Sequence, residues 1–267
     1  MNFAIIAAGE GPRLAQEGVD RPKPLVQLNG QAMVERLVRI FQRQGAHRIV
    51  VIINDRVAET RDFLQSLQQS LPIDLVVKTT PSSMHSLHAI SHLLRGERFC
   101  LTTVDTIFRE EEFARYIQAF RNSTADGLMA VTDFVDDEKP LYISTDRDED
   151  ITSHQSRHEG ECDQHTTSHQ SLHEEECDLN ITGFHDRPTP HCHYISGGIY
   201  CLTPRALDTL DRCIAQGQSR MRNFQRQLVA DGLRLQAWPF GKIIDVDHAS
   251  DIAKAEKFLS EETTKEI

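Results

Sequence analysis

Apolar residues recur along the chain in two rhythms. "FAIIAA" (3–8), "RIVVIIN" (48–54) and "RFCLTTVD" (98–105) are short, nearly continuous apolar runs, the pattern of strands buried on both faces. "QAMVERLVRIFQRQG" (31–45) instead sets Met33, Val34, Leu37, Ile40 and Phe41 on one helical face and stops at Gly45. The spacing predicts further helices over 57–69, 86–96 and 110–120, and a strand over 74–78. Strands alternating with helices specify an α/β fold: a Rossmann-like, mostly parallel sheet flanked by helices.

After residue 125 the rhythm is less regular. Strands are expected at 126–134, 140–145, 194–202, 233–240 and 242–247, and helices at 204–217, 219–232 and 249–259. The expected organisation is one domain over 1–267, with a nucleotide-binding half (1–125) and an acceptor half (126–267). Residues 150–180 interrupt it. "SHQSRHEGECD" (153–163) returns as "SHQSLHEEECD" (168–178), a tandem duplication inserted in a loop.

That insertion changes how the charge is read. The chain carries a formal charge of −11. Between Asp146 and Asp178, eleven acidic residues face two arginines, a net of −9, so the remainder is close to −2. The acidity belongs to one segment, not to the fold. No basic patch argues for nucleic acid, and no run is long enough to span a membrane. With no basic leader ahead of the first strand, the expected location is the cytoplasm. Six cysteines in such a chain do not require disulfides, and Cys100 and Cys201 fall in apolar strands.

The chemistry starts after the first strand. "AAGEGPRLAQEGVDRPKPL" (7–25) spends its length on glycine and charge before the next apolar run. Gly9 and Gly11 permit close backbone approach, successive backbone N–H groups make an anion nest, and Arg13 and Lys23 add phosphate-binding cations. A surface turn can share this composition, so the loop alone leaves both readings open. It has neither the Gly-Lys-Ser/Thr of a Walker loop nor the third glycine of the dinucleotide fingerprint. Asp105 ends the strand 98–105, five residues ahead of the helix at Glu110 and so too early to cap it.

"AAGEGPRL" followed by "RPKPLVQLNGQAMVERLV" closely resembles the nucleotidyltransferases that make nucleotide-sugars, whose signature is G-x-G-T/S-R…K-P. "LTTVDTIF" resembles the family strand ending in a magnesium-binding aspartate. "GFHDRP" (183–188) resembles its E-K-P segment, "SGGIY" (196–200) its N-x-G-x-Y segment, and "IIDVDHASDIAKAEKFL" (243–259) its terminal D-x-D/G-T-P-x-D-L stretch. The chain departs from the pattern at Pro12 in place of Thr or Ser, at Asp186 and Arg187 in place of Glu and Lys, and at His248 in place of Thr.

The resemblance implies a single-domain fold of the nucleotide-diphospho-sugar transferase type. It implies transfer of a nucleoside monophosphate from a nucleoside triphosphate to a sugar 1-phosphate or similar phosphorylated acceptor, with magnesium and departing pyrophosphate. Ala7, Ala8, Gly9, Gly11, Ser82 and Ser83 would line the nucleotide. Arg13 would grip the pyrophosphate, and Lys23 would neutralise the α-phosphate. Asp105 with Asp245 or Asp247 would hold the metal, although either of the latter could instead cap the last helix and Asp251 could be an ordinary first-turn acid. Asp186, Arg187, Gly197 and Gly198 would meet the acceptor, with a surface ion pair the alternative for Arg187. Family members are often homo-oligomers.

Two other classes compete. One is a catalytically weak nucleotide- or metal-binding regulator on the same fold. The other is a glycosyltransferase, which would carry D-x-D where this chain has "VDT". The duplicated segment spaces His154, His158 and Cys162, and again His169, His173 and Cys177, at i, i+4, i+8. On a helix each trio would share a face suited to Zn²⁺, and His191 and His193, flanking Cys192, could join such a site or simply lead into the next strand. The simpler reading is a solvated loop without an apolar face to dock.

Overall fold

The first strand, β1 (Asn2–Ala7), is buried along its whole length. Its alternation explains why: Phe3, Ile5 and Ala7 enter one core, Ala4 and Ile6 the other. A strand with apolar residues on both sides belongs at the centre of a sheet covered on both faces. The structure is a computed structural model describing residues 1–135, 139–147, 179–189 and 192–263. The proposed zinc trios and His191 lie outside the described residues.

Parallel neighbours flank β1: β4 (Arg48–Ile53) on one edge and β6 (Phe99–Thr103) on the other, with β5 (Ile73–Val77) beyond β4. β11 (Tyr194–Leu202) then runs antiparallel to β6. Beyond it, β8 (Gly127–Thr132) pairs with β11 and, in parallel, with β12 (Leu235–Pro239). β9 (Tyr142–Thr145) pairs with the start of β11 and with β10 (Ile181–His185). Only β10 and β11 run against the other seven strands of this nine-stranded sheet. The mostly parallel sheet read from the sequence is thus present, and it continues without a break across residue 125.

One face is covered by α2 (Met33–Arg43), α3 (Ala58–Leu67), α5 (Glu110–Asn122) and α8 (Ala249–Thr263). The other is covered by α4 (Ser83–Leu94), α6 (Arg205–Ala215) and α7 (Met221–Ala230). The helix α2 buries the five apolar residues that its spacing singled out. Phe41, Phe108 and Phe113 stack with Phe3 and Tyr116 into one aromatic block under the sheet.

Short elements escaped the sequence pattern. They are α1 (Pro12–Gln16), a 3₁₀ turn at Lys23–Leu25, the hairpin β2 (Gln27–Leu28) and β3 (Gln31–Ala32), and β7 (Thr106–Ile107), whose partner β13 (Ile244–Asp245) falls inside the strand expected at 242–247. Two to five residues are too few for a period to show. β10 was missed too, because its polar and glycine residues, ITGFH, hide the alternation.

Candidate active site

The carboxyl ends of β1 and β6 open on a cleft of about 590 Å³. Ala8, Gly9, Gly11 and Arg13 form its floor, and Ser82, Ser83 and Ser86 one wall. Lys23, Asp105 and Asp247 close the opposite side. Ala7 is buried as the last residue of β1 and supports the loop from beneath. Sequence reasoning passed over Thr79, Thr80 and Thr103, which also line the cleft. Their position at the ends of β5 and β6 was the available signal, since ligands bind beyond strand carboxyl ends. Ser82 caps α4, its hydroxyl accepting from the His85 amide at 3.5 Å and meeting His85 Nδ1 at 2.8 Å.

Two short ladders bring the distant carboxylates together. β7 follows Asp105 directly, and β13 pairs with it so that Asp245 lies opposite Thr106. The Val246 amide donates to the Asp105 carbonyl at 3.1 Å. Val246 is fully buried, which pins Asp245 and Asp247 on either side of it at the surface. Asp251 then steers Asp247. Its carboxylate accepts from the amides of Asp247 at 3.2 Å and His248 at 2.9 Å, and pairs with Lys254 at 3.1 Å. Burial opposes the Asp251 charge, yet those amides and Lys254 prevail and lower its pKa. Asp251 is therefore more than a first-turn acid: it caps the chain back onto the residues before α8. Glu17 adds a second tie, meeting His248 Nδ1 at 2.6 Å and accepting from the Ala249 amide at 2.7 Å.

Lys23 is the hub. Only 9% exposed, its ammonium pairs with Asp105 and donates to Asp247 at 2.6 Å. Burial works against the charge, but the two carboxylates outweigh it and its pKa is raised. Arg13 reaches the same Asp247 at 3.3 Å. Gly11 allows this arrangement. Its φ is +60°, and a Cβ there would stand 2.9 Å from the Cβ of Lys23. Gly11→Ala is expected to cost about 1–2 kcal/mol from the left-handed backbone alone. It should also push the lysine stem aside, so that activity falls further than thermal stability does. Comparing melting temperature with initial rate checks this.

A second cavity, about 180 Å³, adjoins the cleft and shares Arg13 and Asp247 with it. Ser196, Gly197, Asp245 and Lys254 line it. The register of β11 against β8 shifts between Ser196 and Tyr200, and Gly197 and Gly198 form that bulge. A Cβ on Gly197 would overlap Cδ1 of Ile243 and lie 3.1 Å from the Ala130 carbonyl oxygen. The structure thus brings Arg13, Lys23, Asp105, Asp245, Asp247 and Gly197 to one region. Gly198 faces Thr106 behind it.

Asp186 and Arg187 are not brought to this second cavity. Asp186 is held by Arg222 at 2.6 Å and Arg226 at 2.7 Å, beside a separate concavity, and Arg187 is exposed in the turn after β10. Cys192 lies 3.0 Å from the Thr189 hydroxyl. Among the described residues no three His, Cys, Asp or Glu side chains converge as a metal cage, so nothing there supports zinc. No described helix is long and apolar enough to cross a membrane.

Known proteins are similar to this chain in sequence and in fold. A bifunctional IPC transferase and DIPP synthase of Thermococcus kodakarensis is 26% identical over 117 residues, covering 43% of this chain and 26% of that protein. A 2-aminoethylphosphonate cytidylyltransferase of Lancefieldella rimae is 26% identical over 114 residues, covering 41% of this chain and 45% of that protein. The chain thus spans less than half the length of these curated relatives. In fold, it superposes on the inositol-1-phosphate CTP transferase of T. maritima with a TM-score of 0.71 at 16% identity, covering 97% of this chain and 94% of that one. It also superposes on a protein of Bacillus anthracis assigned as a glucose-1-phosphate thymidylyltransferase, with a TM-score of 0.73 at 16% identity, over 97% and 95% of the two chains. The MobA-like NTP transferase domain matches residues 3–231, most of the chain and all of the strands that carry the glycine loop and Asp105, so the protein belongs to the MobA-like NTP transferase family.

Proposed function

We propose that the protein is a nucleotidyltransferase that moves a nucleoside monophosphate from a nucleoside triphosphate to a phosphate- or phosphonate-bearing small molecule, such as a sugar 1-phosphate. The observation that carries this reading is the Lys23 ammonium, buried in the larger cleft between Asp105 and Asp247, the latter a residue that both cavities share. A nucleotide-sized cleft holding Lys23, a smaller polar cavity beside it and Arg13 lining both suit the joining of two anions.

In the reaction an acceptor phosphate oxygen attacks the α-phosphorus. The bond from that phosphorus to the bridging oxygen breaks, and pyrophosphate leaves with the electron pair. The nucleophile is largely ionised at neutral pH, its second pKa being about 6, so no general base is needed. The work left to the protein is positioning and charge neutralisation. Lys23 neutralises the α-phosphate and the approaching oxygen. Arg13, shared by both cavities, grips the departing pyrophosphate with its planar fork of donors. Backbone N–H groups around Gly9 cradle the triphosphate.

Asp105 and Asp247 already converge on one cation, and two carboxylates with phosphate oxygens and water are the donor set magnesium takes. They would hold the ion, with Asp245 the alternative for the second carboxylate, and when bound it would supply further neutralisation of phosphate charge. Gly197 and Ser196 then bound the acceptor. A regulator that only binds nucleotide has no use for both carboxylates at this site.

The decisive experiment is pyrophosphate release, measured across four nucleoside triphosphates against a panel of sugar phosphates and phosphonates. Release with at least one pair is expected; none from folded protein would sink the reading. Asp105→Asn should lower that rate by about 10³-fold, the scale of losing a transition-state charge contact. The melting temperature should barely move, since the Asn carbonyl still accepts from Lys23 and Asp247 still pairs with it. A collapsed melting temperature would instead make Asp105 a structural residue.

A further inference from the structure

Away from this site lies an open concavity of about 850 Å³. Among the described residues, Arg220, Arg222 and Arg226 line it together with Lys139 and one carboxylate, Asp186, so guanidiniums outnumber described carboxylates three to one. The arginines are pre-set. Arg222 donates to Asp186 at 2.6 Å and to the Lys139 carbonyl at 3.1 Å. Arg226 pairs with Asp186 at 2.7 Å and donates to the Phe184 carbonyl at 3.1 Å. One carboxylate thus orients two guanidiniums while neutralising only one of them.

Arg220 adds a second observation. Its φ of +76° and ψ of 135° are a conformation that glycine adopts freely and an arginine does not. The other described non-glycine residue with positive φ is Asn29, a type that tolerates it. A strain of this kind persists where the side chain is wanted at that spot. The concavity also touches the acceptor side of the site. Tyr142, in its wall, pairs directly with Ile195, which lines the cavity that holds Gly197. Directly paired residues share a sheet face about 5 Å apart.

We propose that this concavity binds a second anionic group of the acceptor, a phosphate or carboxylate remote from the phosphate that attacks. The inference rests on the nucleotidyltransferase reading and narrows its substrate class to acceptors bearing two anionic groups. Asp186 serves in it as the residue that positions Arg222 and Arg226.

The test compares glucose 1-phosphate with glucose 1,6-bisphosphate, and inositol 1-phosphate with inositol 1,4-bisphosphate. The wild type should use a bisphosphate with kcat/KM about tenfold above its monophosphate, the gain from one charge-assisted contact. In Arg220→Gly that ratio should fall to near one. The same variant, free of ligand, should melt about 2 °C higher because the backbone strain is gone. It therefore cannot lose selectivity by failing to fold. Lys139→Ala, at an exposed position, should reduce the ratio independently. An unchanged ratio in both variants, or a wild-type preference for monophosphates, would overturn the proposal.

Thermal melting with each bisphosphate and no nucleotide separates the two readings. If no acceptor supports pyrophosphate release, yet bisphosphate raises the wild-type midpoint and not that of Arg220→Gly, the reaction is wrong and the anion site stands. If that midpoint shift occurs while turnover ignores the second phosphate, the site takes a separate anion and the acceptor assignment is overturned.

Discussion

Lys23→Met should slow pyrophosphate release by about 10³-fold or more, the largest catalytic loss expected of a single substitution in this protein. The size follows from what the ammonium does. It is almost buried, so its field is little screened, and it faces the larger cleft beside Asp247, which lines both cavities. Removing one preorganised donor from such a site costs about 10²–10³ in rate, and a charged one at a phosphoryl group up to about 10⁵. The substitution also leaves Asp105 and Asp247 facing each other without the cation that both contact. Lys23→Arg should not restore the rate, because Gly11 is packed on the narrow lysine stem and a guanidinium is broader than an ammonium. Steady-state rates with the best triphosphate and acceptor pair measure this. A loss below tenfold would remove Lys23 from the reaction.

The largest loss of stability is expected from Tyr116→Phe. Tyr116 is fully buried in α5, and its hydroxyl donates to the Leu128 carbonyl at 2.5 Å and accepts from the Cys201 amide at 2.9 Å. Leu128 and Cys201 are register partners in β8 and β11, just where the bulge of Gly197 and Gly198 rejoins the ladder. The phenol thus repairs the backbone bonding that the bulge disrupts. Phenylalanine fills the same space but strands a buried donor and a buried acceptor, at about 1–3 kcal/mol each. The sum of about 2–6 kcal/mol corresponds to a melting temperature lower by on the order of 5–20 °C. Circular dichroism on heating reads it, and a shift under about 1 °C would mean that water replaces the hydroxyl. Since the bulge carries the wall of the smaller cavity, where the acceptor is proposed to bind, the variant should also raise the acceptor KM more than the triphosphate KM.

Much of this architecture is legible in the residues themselves. Phe3 to Ala7, Ile49 to Ile53 and Phe99 to Leu101 are apolar on both faces, and only the middle of a doubly covered sheet satisfies such segments. The five apolar residues of α2 mark its buried face by spacing alone. The glycine loop, Lys23 and Asp105 stand out because chain segments that bind phosphate need glycine and cations in places where packing does not. Local pattern could not reveal the two-residue strands of the β2–β3 hairpin, nor β7, which is defined only by a partner far away in the chain.

The sequence by itself determined the α/β class, the strands and helices longer than about five residues, and the residue types of the phosphate site, because periodicity and glycine-and-charge composition are local properties. Only the tertiary structure decided which carboxylates meet. The β7–β13 ladder draws Asp247 to Lys23 across 224 positions, turns Asp245 to the smaller cavity, and leaves Asp186 to two arginines elsewhere. Those choices depend on which strands pair and which buried side chain, Val246, fixes the face of its neighbours, and neither is encoded within any one segment.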